Sequence, residues 1–350
     1  MCAARSAGRS IVGREVHLVS RPVGEPKPGD FSVVDVAVPE PSDGELLVRN
    51  TWMSVDPSTR IRMDEGASSY LTSFRLGRPL EGWAVGEVVT SRADGFAAGD
   101  SVLHQLGWRE YAIVDATQGP GRPIAERIDV DETVSARRYL GPFGWAGLTS
   151  YAGLLDVAEL RPGDVVFVSG AAGAVGSLAV QIAKLRGHYV VGSAGTEAKV
   201  DYVRSTLGAD AAFCYRDGDV RDLLRAAAPD GIDVYFDNVG GDHLEAALDA
   251  LNVGGRVALC GAVSTYNASE AAAGPANLFE AVTKSLTLRG FLARRYEHRM
   301  AEFRSEMRTW LGESRIVYDE TVVEGLERAP EALIGLLRGD NVGKMLVKLD

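Results

Sequence analysis

The residues that could do chemistry begin with a glycine-rich turn. Residues 167–176 read FVSGAAGAVG, an apolar run that leads into glycines three apart, Gly170, Gly173 and Gly176. Such a turn lets a ligand approach the backbone, and a helix that follows it presents N–H groups at its positive end. This arrangement suits the pyrophosphate of a dinucleotide. A tight structural turn gives the same pattern, so the turn alone leaves both interpretations open.

A lysine and a tyrosine follow where the adenosine ribose of a dinucleotide would lie. NAD-binding proteins carry an acidic residue at the end of the second strand, but here that strand ends VVGSAG. Lys199 and Tyr215 could instead hold a 2′-phosphate, which predicts NADP. A solvated helix lysine is the alternative interpretation of Lys199, and the nearby Glu197 weakens the argument.

Two further polar side chains fall where later strands end. Asn238 follows the strand IDVYFD, and Tyr266 lies in the loop CGAVSTYN. Open α/β sheets bind ligands at the carboxyl ends of their strands, so both are candidate site residues. The alternatives are a turn residue for Asn238 and a surface tyrosine for Tyr266.

Other catalytic patterns do not occur in the sequence. It contains no G-x-S-x-G elbow, its five histidines stand alone, and Cys2, Cys214 and Cys260 are far apart. We therefore predict no metal and no disulfide framework. Hydride transfer without a Lewis acid favours reduction of an already activated acceptor over alcohol oxidation.

Two parts of the chain, with different predicted folds, must position these residues. After about residue 140 strands alternate with helices, which predicts a doubly wound parallel sheet in an α/β domain. Between the first two strands, apolar residues from Val175 to Ile182 recur at helical spacing, with Gln181 and Lys184 facing outward. The predicted strands are 164–169, 188–192, 211–215, 232–237, 256–261 and 286–291.

The rest of the chain has a different pattern of apolar runs and turn residues. Short Val-rich runs separated by Pro, Gly and Asp up to about residue 135 predict a mostly antiparallel β domain. The last 35 or so residues are too few for a third domain and are expected to fold back onto the first. We therefore predict a discontinuous domain, 1–138 with 314–350, and a dinucleotide-binding domain, 139–313.

Composition limits the partners. The chain has 350 residues and a net charge of −11, with no membrane-length apolar stretch and no basic stripe. Nucleic acid and membrane are therefore poor partners. The N-terminus lacks the apolar region of a secretion signal, which predicts a cytoplasmic protein.

Six segments carry a family resemblance across nearly the whole chain. They are MSVDPSTRIRM (53–63), GLTSYAGLLDV (147–157), SGAAGAVGSLAVQIAKLRG (169–187), YFDNVGG (235–241), CGAVSTYN (260–267) and GDNVGK (339–344). With them the chain resembles the zinc-independent medium-chain dehydrogenases/reductases, in the branch of the prostaglandin, alkenal and curcumin reductases. The resemblance implies a GroES-like catalytic domain plus a Rossmann domain, a homodimer, and NADPH-dependent reduction of the double bond of enals and enones.

The resemblance also implies the site residues. Hydride would reach the β-carbon, a hydrogen-bond donor would stabilise the enolate oxygen, and the α-carbon would be protonated. Tyr266 is the candidate donor, and the ribose 2′-hydroxyl of the nicotinamide is its rival. The cofactor would contact Gly173, Ala174, Val175, Gly176, Lys199, Tyr215, Asn238, the loop Cys260, Gly261, Ala262, Val263, Ser264, Thr265 and Tyr266, then Phe291, Leu292, Ala293 and Asn341.

Three residues depart from the family pattern. Ser58 stands where relatives usually carry tyrosine, and Trp83 and Trp145 stand in segments with smaller residues. We expect a pocket reshaped for smaller or flatter enones, and the alternative is that both indoles pack in the domain interface. Other acceptors, namely a quinone or an alcohol oxidised in reverse, and NADPH binding without turnover are the competing functions.

Overall fold

The first part of the chain is built from short strands and one short helix. The computed structural model describes residues 11–66, 71–117, 125–270 and 273–349. The elements of this part are β1 (Val12–Leu18), β2 (Phe31–Ala37), β3 (Glu45–Ser54), α1 (Ser58–Arg62), β4 (Arg78–Pro79), β5 (Ala84–Ser91), β6 (Ser101–His104), β7 (Tyr111–Asp115) and β8 (Glu126–Arg127).

Strands and helices then alternate to the end of the described chain. They are α2 (Trp145–Ala152), β9 (Val165–Val168), α3 (Ala174–Leu185), β10 (Tyr189–Ala194), α4 (Glu197–Asp201), β11 (Ala211–Cys214), α5 (Val220–Ala227), β12 (Ile232–Asp237), α6 (Gly241–Ala250), β13 (Leu251–Leu259), α7 (Glu280–Thr283), β14 (Thr287–Gly290), α8 (Met300–Gly312), β15 (Glu320–Glu324), α9 (Ala329–Arg338) and β16 (Lys344–Lys348).

Six of these strands form a parallel sheet in the order β11-β10-β9-β12-β13-β14. The order reverses between β9 and β12, as in doubly wound dinucleotide-binding folds, so the predicted α/β domain is confirmed. All six predicted strands are present. Strand β13 begins at Leu251, earlier than predicted, because Leu251 already pairs with Ile232 of β12. An irregularity follows, and regular pairing resumes where Arg256 lies opposite Val234.

The remaining strands form mostly antiparallel sheets. A seven-stranded sheet runs β15-β16-β3-β5-β6-β8, with β7 also on β3, and a three-stranded sheet runs β2-β1-β4. Only β15 and β16 pair in parallel among the described strands of these two sheets. The predicted GroES-like, mostly antiparallel domain is therefore confirmed.

Helix α3 corrects one expectation. Lys184 is partly exposed and pairs with Asp210, but Gln181 is buried and does not face solvent. The Gln181 amide donates to the carbonyl oxygen of Val317 and accepts from its N–H, both at 2.8 Å. A polar residue at an outward helical position is buried here because a distant backbone segment uses it as a hydrogen-bonding partner.

The C-terminal segment joins the two sheets. Strand β16 pairs antiparallel with β3, and the N–H of Gly343, just before β16, donates to the carbonyl oxygen of Ala172 in the glycine turn at 2.8 Å. These contacts support our proposal of a discontinuous first domain with boundaries near residues 138 and 314. Residues 1–10 and 350 of that proposal lie outside the described residues.

One apolar cluster crosses from one sheet to the other. It contains Val85 and Leu103 of the antiparallel sheet together with Val166 and Phe236 of the parallel sheet. The two sheets are thus held at a fixed spacing behind the cleft described below. Among the helices of the described ranges, none has both the length and the apolar character needed to cross a membrane.

Candidate active site

A cleft of about 1070 Å³ lies between the two sheets, with the carboxyl edge of the parallel sheet as one wall. Most of the predicted site residues line it, and the role of each stays a prediction. They are Ser58, Trp83, Trp145, Gly173, Ala174, Val175, Gly176, Lys199, Tyr215, Asn238, Cys260, Gly261, Val263, Ser264, Tyr266, Phe291, Leu292, Ala293 and Asn341.

Ala262 and Thr265 are the two predicted residues that do not line the cleft. The Thr265 hydroxyl donates to the carbonyl oxygen of Ala262 at 2.8 Å, inside a single helical turn over Val263–Thr265. The turn therefore places Val263 and Ser264 toward the cleft and folds the other two residues onto each other.

The glycine turn stands at the start of α3. Gly173 is the residue before the helix, so the N–H groups of Ala174, Val175 and Gly176 have no partner within the helix. A Cβ on Gly176 would overlap the carbonyl oxygen of Gly170. The turn needs glycine for its own close packing, and the helix N-terminus that it positions is a site for a pyrophosphate.

Two cationic side chains, Lys199 and Arg216, line the end of the cleft near α4. The Lys199 ammonium donates to the carbonyl oxygen of Gly339, and the guanidinium of Arg216 lies 5.8 Å from the ring centre of Tyr215. Partial burial and the charge of Arg216 lower the pKa of Lys199, although Asp340 acts in the opposite direction. Arg216 lines the cleft and was missed by sequence reasoning, although it directly follows Tyr215.

Two carboxyl groups lie near this end. Ligand atoms of Glu197, Cys214 and Asp217 lie within 4.8 Å of one another. A hydrogen bond with Asp217 raises the pKa of Glu197, as expected for two carboxyl groups in contact. The predicted absence of a metal stays a prediction.

Asn238 is held by the strand beside it. Its backbone N–H donates to the Ser169 hydroxyl at 3.0 Å and its side-chain amide donates to the Ser169 carbonyl oxygen at 2.8 Å. The preceding Asp237 accepts hydrogen bonds from the N–H groups of Val239 and Gly240. The loop after β12 therefore has a fixed direction, and burial raises the pKa of Asp237.

The loop after β13 brings a phenol and a thiol to the cleft. The Tyr266 hydroxyl accepts from the N–H of Ala262 at 3.4 Å, so the ring folds back over the start of its own loop. Burial, with Asp237 nearby, raises the pKa of Cys260 to about 12. The thiol is therefore un-ionised at neutral pH and a poor nucleophile.

The opposite wall carries the departures from the family pattern. Trp83 and Trp145 stack with ring centres 5.6 Å apart and planes 27° apart, while both line the cleft. The two interpretations made from sequence therefore do not exclude each other, because the indoles pack on one another across the interface and also form the wall. Ser58 lies at the start of α1 on the same side.

An ion pair between the buried Lys344 and the partly exposed Asp56 was also missed. The Lys344 ammonium donates to Asp56 Oδ1 at 2.8 Å and to the carbonyl oxygen of Val55 at 2.9 Å. Asp56 Oδ2 accepts from the Ser54 hydroxyl at 2.5 Å. Asp56 and Lys344 lie in the quoted segments SVDP and GDNVGK, but their contact depends on the pairing of β16 with β3.

Asn341 and Phe291 are two further residues that line the cleft. Asn341 is buried and donates to the carbonyl oxygen of Gly343 at 2.7 Å. The ring of Phe291 packs edge-on against Phe236 at 6.3 Å and Tyr296 at 6.2 Å. Both residues are thus fixed by neighbours while they line the cleft.

Comparisons with known proteins agree on one family. Residues 14–119 match the model described as the N-terminal domain of oxidoreductase, and residues 174–309 match the one described as zinc-binding dehydrogenase. The chain is 40% identical to the NADP-dependent 2-alkenal reductase of Nicotiana tabacum, over 96% of this chain and 97% of that protein. It is 37% identical to the NADPH-dependent curcumin reductase of Escherichia coli strain K12, over 95% of each.

A solved structure gives the same result. The crystal structure of CurA from Vibrio vulnificus in complex with NADPH superposes with a TM-score of 0.89 at 37% identity. The match covers 96% of this chain and 99% of that one. The likeness therefore extends over both sheets and the cleft between them.

Proposed function

Because the chain belongs to the medium-chain dehydrogenase/reductase family, in the branch of the alkenal, curcumin and prostaglandin reductases, we propose that it reduces the carbon–carbon double bond of α,β-unsaturated aldehydes and ketones. It is an NADP-dependent oxidoreductase acting on CH–CH groups. The observation that carries the proposal is the presence in one cleft of the glycine turn, the Lys199 and Arg216 pair, and Tyr266.

The residues present fit an NADP cofactor. The turn at Gly176 leaves no room for a side chain, and the N–H groups of Ala174 and Val175 suit a pyrophosphate. Lys199 and Arg216 supply two cations for a 2′-phosphate, and no acidic residue ends β10. Bound there, NADPH supplies the hydride.

The protein's own contribution is to hold and polarise the acceptor. Tyr266 donates a hydrogen bond to the carbonyl oxygen of the substrate, where negative charge develops once the β-carbon has been reduced. The stacked Trp83 and Trp145 cover the apolar part of the acceptor and exclude water from the cleft. The α-carbon then takes a proton that comes from solvent at the open side of the cleft, which completes the reduction.

The proposal is tested by following the loss of reduced nicotinamide absorbance. NADPH and NADH are each offered with a short enone, a long alkenal, a quinone and an alcohol with oxidised cofactor. Consumption of NADPH with an enone, and formation of the saturated carbonyl product, supports the proposal. Turnover only with the quinone or the alcohol would contradict the proposal and assign that compound as the substrate. NADPH binding without any turnover would indicate a binding protein that is not an enzyme.

We also propose that the enzyme is a homodimer. Val253, Phe279 and Val282 are 80%, 71% and 68% exposed; Val253 lies in β13, which pairs with the edge strand β14, and the other two lie at α7, just before β14 in the chain. An apolar patch next to a strand edge favours pairing with a second copy. Light scattering after gel filtration tests this, and a monomer mass at micromolar concentration would reject it.

A cytoplasmic location is the last part of the proposal. Cys214 and Cys260 are free thiols, as is usual in a reducing compartment. Fractionation of the producing cells, with activity assayed in each fraction, tests it. Activity confined to an extracellular or membrane fraction would contradict it.

A further inference from the structure

A small polar pocket of about 80 Å³ lies at the amino edge of the parallel sheet, on the side away from the cofactor cleft. Arg256, where β13 begins to pair with β14, and Thr287 at the start of β14 are paired neighbours in its wall. Arg161 and Glu159, from the segment before β9, and Arg289 of β14 complete the polar lining. Three arginines and one glutamate therefore line one small volume.

Arg256 is the unusual member of this group. Its side chain is only 8% exposed, and one of its terminal nitrogens donates to Asp164 Oδ2 at 2.5 Å. Its Nε has no hydrogen-bond partner among the described residues. A buried guanidinium N–H without a partner is unfavourable, so the position calls for an acceptor that the neighbouring side chains do not supply.

The charges around the pocket favour an anion. Arg289 contacts the carboxylate of Glu159 at 3.3 Å, whereas the guanidinium of Arg161 has no hydrogen bond or ion pair within the described part of the chain. Three arginines thus face two carboxylates, Glu159 and Asp164. The pocket is locally positive in a chain whose net charge is −11.

We propose that this pocket binds a phosphate group, either as the free ion or as the end of a phosphomonoester. Phosphate offers several acceptor oxygens, and guanidinium groups bind it in a forked geometry. The volume admits one such group, and the exposed Arg161, Thr287 and Arg289 at the mouth leave room for the rest of a small molecule. The buried Arg256 Nε supplies the innermost donor.

The test uses the full chain saturated with NADP⁺, so that the cations of the cleft are already occupied. Inorganic phosphate and glycerol phosphate are titrated against sodium chloride of equal ionic strength, and the thermal unfolding midpoint is followed. We expect both phosphates, or one of them, to raise the midpoint saturably. The probe with the stronger effect identifies the free ion or the monoester as the ligand.

Variants locate the effect. The double variant R161Q/R289Q changes only exposed side chains and is expected to weaken the apparent affinity at least about tenfold. The control R225Q removes an exposed arginine that pairs with Asp222 elsewhere, and should leave the titration unchanged. No midpoint rise beyond that of chloride, or an equal rise in the wild type and the double variant, would overturn the proposal.

Discussion

The indole rings of Trp83 and Trp145 stack at 5.6 Å and form one wall of the cleft, with Trp83 next to β5 and Trp145 at the start of α2. The contact is an interface between two domains and a wall of the substrate site at once. A change to either ring should therefore alter both stability and substrate choice.

Replacing either indole by alanine is predicted to widen the pocket. Trp83→Ala and Trp145→Ala should raise the relative kcat/KM for bulky enones over short ones, and the double variant should reveal a coupling free energy of about 1 kcal/mol in denaturant unfolding. Trp52→Ala, an indole outside the cleft that packs against Arg137, is the control. An unchanged ranking of enones in both single variants would refute the pocket role.

The cations near α4 are predicted to set cofactor preference. Lys199→Ala and Arg216→Ala should each weaken NADPH binding about ten- to hundredfold and leave NADH almost unaffected, because NADH lacks the 2′-phosphate. Fluorescence titration of both cofactors measures this. The exposed Lys27→Ala should change neither. Equal losses for NADPH and NADH would mean that Lys199 holds the loop at Gly339 and Arg216 packs on Tyr215, and that neither binds the phosphate.

Tyr266 is predicted to act on the reacting carbonyl. Tyr266→Phe should lower kcat with an enone by about a hundredfold while NADPH affinity stays close to that of the wild type, as for loss of one oxyanion donor. The partly exposed Tyr189→Phe, outside the cleft, serves as the control. Wild-type turnover in Tyr266→Phe would assign the role to its rival, the ribose hydroxyl.

Stability is predicted to fall in mild acid because of a buried histidine. His104 Nδ1 accepts from the N–H of Leu106 and its Nε2 lies 2.8 Å from Asn50 Oδ1, so the ring is neutral when folded. Burial lowers the pKa of His104 to about 3. Since the unfolded chain takes up the proton first, the unfolding free energy should fall by up to about 1.4 kcal/mol for each pH unit below about 6.5.

Urea unfolding from neutral pH to about pH 5 checks this against His104→Gln, which should flatten the slope by close to one proton. Burial also lowers the pKa of His243, to about 4, so part of the slope will remain in that variant. Identical slopes for the wild type and His104→Gln would show that His104 does not control this loss.

The ion pair between Lys344 and Asp56 is predicted to stabilise the position of β16 beside β3. Lys344→Met leaves Asp56 without its cation and should cost about 1 kcal/mol of unfolding free energy, because the partly exposed carboxylate stays in contact with water, and adding Asp56→Asn should restore part of the loss. Lys348→Met, in the same strand, is the control. Strictly additive losses in the double variant would show that the two groups do not interact energetically.

The sequence predicted the parallel sheet and the glycine turn because both depend on local periodicity. Val175 to Ile182 repeat at helical spacing, and each buried strand is a short apolar run. Gln181 was placed wrongly because its partner, Val317, is 136 residues away. Arg216 was missed since a charged residue after a strand is common, and it gains meaning only beside Lys199.

Contacts between the two sheets could not be predicted for the same reason. The Lys344 to Asp56 pair spans 288 residues and exists only because β16 lies beside β3. The stacking of Trp83 on Trp145 depends on how the sheets approach each other. Sequence patterns show how side chains repeat along one helix or strand, but they do not show the angle at which two elements meet.

The position of β16 also determines the order in which the chain can fold as it is made. Strand β16 lies between β15 and β3, so the seven-stranded sheet cannot be completed until residues 344–348 have left the ribosome. The parallel sheet ends at Gly290 and has no such requirement. Although domains usually fold from the N-terminus onward during synthesis, we expect the dinucleotide-binding domain here to form first, because the N-terminal strands cannot complete their sheet before β16 has been made.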